Sequence, residues 1–139
     1  MSNGPHFMVY DVETQKMSNQ VEGGWNNVFG MGIASAVVWS SKSDQFYFFG
    51  DTEQERIRLC EFLNENVVVS FNGISFDSKV VLGNDRIVDP DGTTRNSNYS
   101  WKNIDIFIEM WRRILGLKKD ATFQQITELQ RTNHNLHQK

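Results

Sequence analysis

The sequence is poor in the features that would assign a protein class at once. Its 139 residues contain one cysteine, Cys60, which excludes an intrachain disulfide and favours a reduced, cytoplasmic setting. No apolar run approaches the roughly 20 residues of a membrane span, so we expect no membrane partner. Residues 1–7 show no charged segment followed by an apolar one, so no secretory signal is visible.

A large charge of one sign is also absent. The formal net charge is −3, so the chain lacks the overall basic character that points directly to nucleic acid. Nucleic acid remains compatible with this balance, because metal ions in an acidic site can hold a phosphate backbone. The hydrophobic fraction of 39% and the charged fraction of 22% are typical of a globular protein, and the length fits one domain over residues 1–139.

Apolar runs and turn signals predict the order of the elements. Strands are predicted over residues 7–12, 28–39, 45–50 and 66–72. Helices are predicted to begin at Asp51 or Thr52, to cover 75–82 and to cover 103–117, with a further helix as one reading of 122–131. Residues 84–100 are predicted to form the longest loop. This order predicts an α/β fold, with a mixed sheet of three antiparallel strands and then a parallel strand, flanked by helices.

Two acids follow the first apolar run, in the segment "VYDVET" (9–14). Side chains alternate across a strand, so Asp11 and Glu13 lie on one face, about 7 Å apart along the chain. One reading is that both acids face water. The other is that a divalent cation, which prefers oxygen ligands, offsets their repulsion.

A third acid follows the predicted fourth strand, in "VVVSFNGISFDSKVV" (67–81). Asp77 stands at a predicted helix start, where an acid also complements the helix dipole. Phe76 is expected to anchor that start in the core, which would let Asp77 face the end of the first strand. Three carboxylates at one end of the sheet would offer an oxygen-rich site for Mg²⁺ or Mn²⁺.

Both segments resemble motifs of the DEDD-type (DnaQ-like) 3′–5′ exonucleases in the ribonuclease H-like superfamily. "VYDVET" resembles the first motif, and "FNGISFDSKVV" (71–81) resembles the second. The resemblance implies a ribonuclease H-like fold, a two-metal site for Mg²⁺ or Mn²⁺, and a nucleic-acid substrate with a single-stranded 3′ end. It implies metal ligation by Asp11, Glu13 and Asp77.

The resemblance also assigns residues around these ligands. It implies that Asp105, at the family's mid-chain position before a long helix, belongs to the catalytic set in a supporting role. It places Thr14 and Asn72 at the substrate, with Asn72 expected mainly to shape the turn.

The family's third motif, a His or Tyr followed by a fourth Asp on a late helix, is not recognisable in the sequence. After residue 117 the acids are Asp120 and Glu128, and no acid follows His134 or His137. The domain is therefore expected to be short at its C-terminal end, and the fourth ligand and general base stay unassigned. The alternatives are an active exonuclease, an inactive module that binds nucleic acid or protein, and a truncated domain.

The aromatic and basic residues outside the two motifs each have two possible roles. Trp25 and Trp101 lie in predicted polar loops, where they would either stack on bases or be partly buried. Arg112 and Arg113 would either contact phosphates or form a solvated face near the end of the third helix.

Overall fold

The computed structural model describes residues 5–116 together with residues 125, 126 and 128. The strands are β1 (Met8–Thr14), β2 (Ile33–Ser40), β3 (Gln45–Phe49), β4 (Val67–Ser70), β5 (Ile87–Val88), β6 (Thr93–Arg95) and β7 (Ser100–Asp105). The helices are α1 (Glu53–Leu63), α2 (Asp77–Leu82) and α3 (Ile106–Ile114). None of the described helices is both long enough and apolar enough to cross a bilayer.

The strands form one mixed sheet in the order β3-β2-β1-β4-β7-β6-β5. β1, β2 and β3 pair antiparallel, whereas β4 is parallel to β1 and β7 is parallel to β4. The hairpin of β5 and β6 extends the sheet by antiparallel pairing with β7. The prediction of an α/β fold with helices flanking a mixed sheet is confirmed, and the arrangement is compatible with a ribonuclease H-like fold.

One face of the sheet carries the core. In β1 the side chains of Tyr10 and Val12 are buried. The residues that alternate with them face the other side of the sheet and are exposed: Val9, Asp11 and Glu13. Helices α1 and α2 pack against each other on the buried side, and α2 contacts β1. α1 begins as its sequence predicts, because the Thr52 hydroxyl accepts a hydrogen bond from the Glu55 N–H over 3.1 Å.

The second predicted strand begins later than expected. Residues 28–32 were predicted to belong to it, but Phe29–Met31 form a 3-10 turn and β2 begins at Ile33. Gly32 adopts φ +69°, a left-handed conformation that interrupts extended backbone and suits glycine. An apolar run therefore contained a turn and a strand, which hydropathy alone does not separate.

The segment 84–100 is not a loop throughout, which corrects the prediction. It contains β5 and β6 and the first residue of β7. Gly92, at φ +91°, turns the chain between the two short strands, and Arg95 pairs with Asp89 over 3.0 Å beside that turn. β5 and β6 have only two and three residues, which is too short for a hydrophobic period to appear in the sequence.

The third helix also begins later than predicted. Residues 103–105 belong to β7, where Asn103 and Asp105 are buried and pair with β4. Trp101, placed in a loop by its sequence, is buried in the same strand. The reading of 122–131 as a helix lies mostly outside the described residues, of which 125, 126 and 128 are helical.

Candidate metal centre

Asp77 is the first residue of α2 and is nearly buried, with 5% of its surface exposed. Strand β4 pairs with β1 only at Met8 and Val9, so the later part of β1 has no strand partner on that side. The backbone N–H of Val12 faces the Asp77 carboxylate and stabilises its charged form. Asp77 therefore reaches from the start of α2 to the end of β1.

Asp77 lies within electrostatic reach of the two acids of β1. Burial raises the pKa of Asp77 to about 7, and repulsion from Asp11 is the next largest cause, with smaller contributions from Asp105 and Glu13. The Val12 N–H offsets part of this rise. Asp11 and, more weakly, Glu13 therefore act on the Asp77 carboxyl, and we call these three residues the acid cluster.

Asp11 and Glu13 occupy the exposed face of β1. Neither side chain has a hydrogen bond or an ion pair within residues 5–116. The positions are thus open to a ligand rather than committed to structural contacts.

The donor chemistry of the cluster fits a hard cation, but the side chains are not arranged as a finished cage. In the described part of the chain, no group of three or more His, Cys, Asp or Glu side chains is positioned to hold an ion. Carboxylate oxygens are the ligands that Mg²⁺ and Mn²⁺ prefer. A bound ion would therefore require positions of the three side chains that differ from those in the structure.

Asp105 is held quite differently, although only 2% of its surface is exposed. Its Oδ1 accepts hydrogen bonds from the Asn72 N–H over 2.7 Å and the Phe107 N–H over 3.0 Å. Its Oδ2 accepts one from the Ile74 N–H over 3.1 Å. Burial raises the pKa of Asp105, and these backbone donors offset part of the rise. Asp105 therefore caps α3 and clamps it to the turn after β4.

Asn72 and Gly73 form that turn. Asn72 adopts φ +60°, which Asn tolerates better than most residues, and its C=O accepts the Phe76 N–H over 3.1 Å. A Cβ on Gly73 would lie 2.1 Å from the Ser70 Oγ, so only glycine fits there. The backbone of Asn72 shapes the approach to α2, as the sequence led us to expect.

Thr14 lies at the same end of β1 as the acids. The pairing of β1 with β2 shifts register between Glu13 and Thr14. The Thr14 hydroxyl donates a hydrogen bond to the Lys16 carbonyl over 3.1 Å. Its position borders the acid cluster, but its hydroxyl already serves a local turn.

Two residues beside the cluster were missed by the sequence analysis. The Tyr10 hydroxyl is buried without a hydrogen-bond partner among the described residues, and burial raises the pKa of Tyr10, as do Asp77 and Asp105. Arg86 donates from Nε to the Ile74 carbonyl over 2.9 Å and to the Ser78 Oγ over 2.7 Å. An aromatic residue in a strand is typical of core, and Arg86 fell in a predicted loop, so neither gave a signal.

Comparison with protein-family models finds none that matches this chain, and a search of curated proteins finds no relative. The fold and the positions of the acids therefore carry the argument about function, and the likeness to DEDD-type exonucleases stays a prediction based on two motifs.

Proposed function

We propose that this protein is a divalent-metal-dependent 3′–5′ exonuclease that hydrolyses phosphodiester bonds of DNA or RNA. The observation that supports this most is Asp77, a buried carboxylate beside Asp11 and Glu13 whose pKa is raised to about 7. Keeping such a group among like charges disfavours its ionised form, and strongly perturbed acids cluster at functional sites. The 3′–5′ polarity and the nucleic-acid substrate come from the two-motif resemblance.

The ligands in this proposal are Asp11, Glu13 and Asp77, with Mg²⁺ or Mn²⁺ as the ions. When bound, two such ions supply an activated water and stabilise the leaving 3′ oxygen. Asp11, Glu13 and Asp77 would hold the ions through their carboxylate oxygens. Asp105 would act as a positioning residue, because its hydrogen bonds hold the turn that leads to Asp77.

Thr14 and the Asn72 turn would border the terminal nucleotide, since both lie beside the acid cluster. The fourth ligand and the general base are not assigned to residues that the structure describes. The proposal keeps His134 and His137 as candidates for the base, by residue type alone.

An alternative proposal is a ribonuclease H-like module that binds nucleic acid or a protein partner without catalysis. It is favoured by the absence, within residues 5–116, of three acids already arranged around an ion position. It predicts that divalent ions leave the protein's melting temperature unchanged.

The reaction can be tested with 5′-labelled single-stranded DNA and RNA in Mg²⁺ or Mn²⁺. We expect a ladder of shortened products, which a 3′-blocked substrate would not give. Asp11→Asn should slow hydrolysis at least about a hundredfold, since even partners of metal ligands contribute ten- to hundredfold. Glu61→Gln removes the same charge from an exposed position on α1 and should cut at the wild-type rate. Equal rates for Asp11→Asn and wild type would refute the proposal.

We also propose that the protein acts in a reducing compartment such as the cytoplasm. Cys60 is buried and unpaired, and burial raises the pKa of its thiol to about 11. A protonated, buried thiol behaves as a small core residue, in agreement with this setting.

A further inference from the structure

An exposed tryptophan borders the acid cluster. Trp25 lies in a 3-10 turn, Gly24–Asn26, and 67% of its surface is exposed. Its ring contacts the edge of Phe76 at a centroid distance of 6.2 Å, and Phe76 directly precedes Asp77. Gly23, at φ +90°, precedes this turn in a left-handed conformation that suits glycine.

A second aromatic surface lies at the Asp105 clamp. Because Asp105 binds the N–H groups of Asn72 and Phe107, it brings the neighbouring Phe71 ring to the Phe107 ring, with centroids 5.2 Å apart. Trp111 continues the row one helical turn later, 6.4 Å from Phe107. The Phe71 side of this row is open to solvent, with 59% of that residue exposed.

Two exposed cations lie on segments near these aromatic residues in sequence. Lys16 follows the end of β1, and Arg113 stands in the last turn of α3, two residues after Trp111. Both are exposed, and neither has an ion-pair partner in the described part of the chain. Exposed flat rings suit the bases of a nucleic-acid strand, and exposed cations suit its phosphates. A duplex would keep its bases stacked on each other, so this chemistry favours a single strand.

We propose that Trp25 and Phe71 stack on unpaired bases of a single-stranded nucleic acid whose backbone passes the acid cluster. This binding would position the substrate of the proposed nuclease. It rests on the proposed function only in the statement that the bound strand is the substrate. Ile106, Met110 and Ile114 are exposed on the adjoining face of α3, which makes binding of another protein chain the competing outcome.

Binding is measured by fluorescence anisotropy of a labelled oligothymidylate, in EDTA at low salt so that metal-dependent hydrolysis does not interfere. Trp25→Ala and Phe71→Ala should each raise the Kd roughly five- to hundredfold, the range for losing one stacked base. Trp25→Phe and Phe71→Tyr keep a ring and should restore most of the affinity. The matched control is Phe46→Ala, since Phe46 is 64% exposed on β3, two strands away from β1, and its loss should change the Kd less than twofold.

Unchanged Kd values for both alanine variants, equal binding of duplex and single strand, or no binding by the wild type would overturn the inference. So would self-association that Met110→Glu abolishes while oligonucleotide binding is absent. The two proposals fail separately. Hydrolysis that needs Asp11 with normal binding by both ring variants rejects only the stacking. Binding that needs Trp25 and Phe71 without metal-dependent hydrolysis rejects only the nuclease.

Discussion

Asp77 and Asp105 stand at the starts of neighbouring helices, and both are almost fully buried, yet the protein holds them in opposite ways. Three backbone N–H groups donate to Asp105, at 2.7, 3.0 and 3.1 Å. Asp77 faces the Val12 N–H and is repelled by Asp11. Burial alone therefore does not mark a functional acid. A buried acid whose charge the backbone has not neutralised is the one available to a cation.

The largest change in stability is expected when Asp105, which clamps α3 to the turn after β4, is removed. Asp105→Ala leaves three backbone donors in the turn after β4 and in α3 without their acceptor, and we expect the free energy of unfolding to fall by at least about 3 kcal/mol. Urea denaturation measures the change. Asp51→Ala, at an exposed position before α1, is the control and should leave stability nearly unchanged. A loss no greater than in the control would show that the clamp does not hold the two segments together.

Substitution of Asp77 is expected to change the free energy of unfolding in the opposite direction and to stabilise the protein. Because the pKa of Asp77 is raised from 3.8 to about 7 in the folded protein, its contribution to stability is complete below about pH 4 and is lost as the pH rises through 7. Asp77→Asn removes this penalty, so in EDTA at pH 8 it should raise the free energy of unfolding by roughly 1–3 kcal/mol.

The same variant should gain little or nothing at about pH 3, where the wild-type carboxyl is mostly protonated in both the folded and the unfolded state. Thermal melts across this pH range give the comparison. A destabilised Asp77→Asn protein at pH 8 would mean that the carboxylate is satisfied in solution, like Asp105.

The smallest change in stability is expected at Tyr10, whose hydroxyl is influenced by both Asp77 and Asp105. Its hydroxyl is buried and lacks a hydrogen-bond partner in the described residues, so Tyr10→Phe removes an unsatisfied group and should change stability by less than about 1 kcal/mol. Tyr47→Phe, whose hydroxyl donates to the Ser43 Oγ over 3.0 Å on β3, gives a partnered control. A loss above about 2 kcal/mol for Tyr10→Phe would reveal a solution partner, such as a buried water.

The environment of Asp77 could be predicted from the sequence, whereas that of Asp105 could not. The alternation in β1 and the capping pattern at Thr52 correctly located the core face and α1. The position of Asp77 followed from the strand and helix around it. These are local patterns, in which a residue's neighbours in sequence decide its environment.

Asp105 was different, because its environment is set at a distance. Apolar residues at helical spacing extended the predicted helix back to 103, whereas pairing of β7 with β4 makes 103–105 a strand. That register places Asp105 opposite Ser70 and hence beside the turn at Asn72. Contacts more than 30 residues apart in sequence leave no local period, so the sequence identified this acid without revealing its role as a clamp.

Calorimetric titration of Mn²⁺ at pH 8 tests the central claim most directly, with wild type, Asp77→Asn and Glu61→Gln compared at equal concentration. We predict that wild type and Glu61→Gln bind Mn²⁺ alike, and that Asp77→Asn binds Mn²⁺ at least about tenfold more weakly. Equal Mn²⁺ affinity for Asp77→Asn and wild type, or no binding by the wild type, would contradict it.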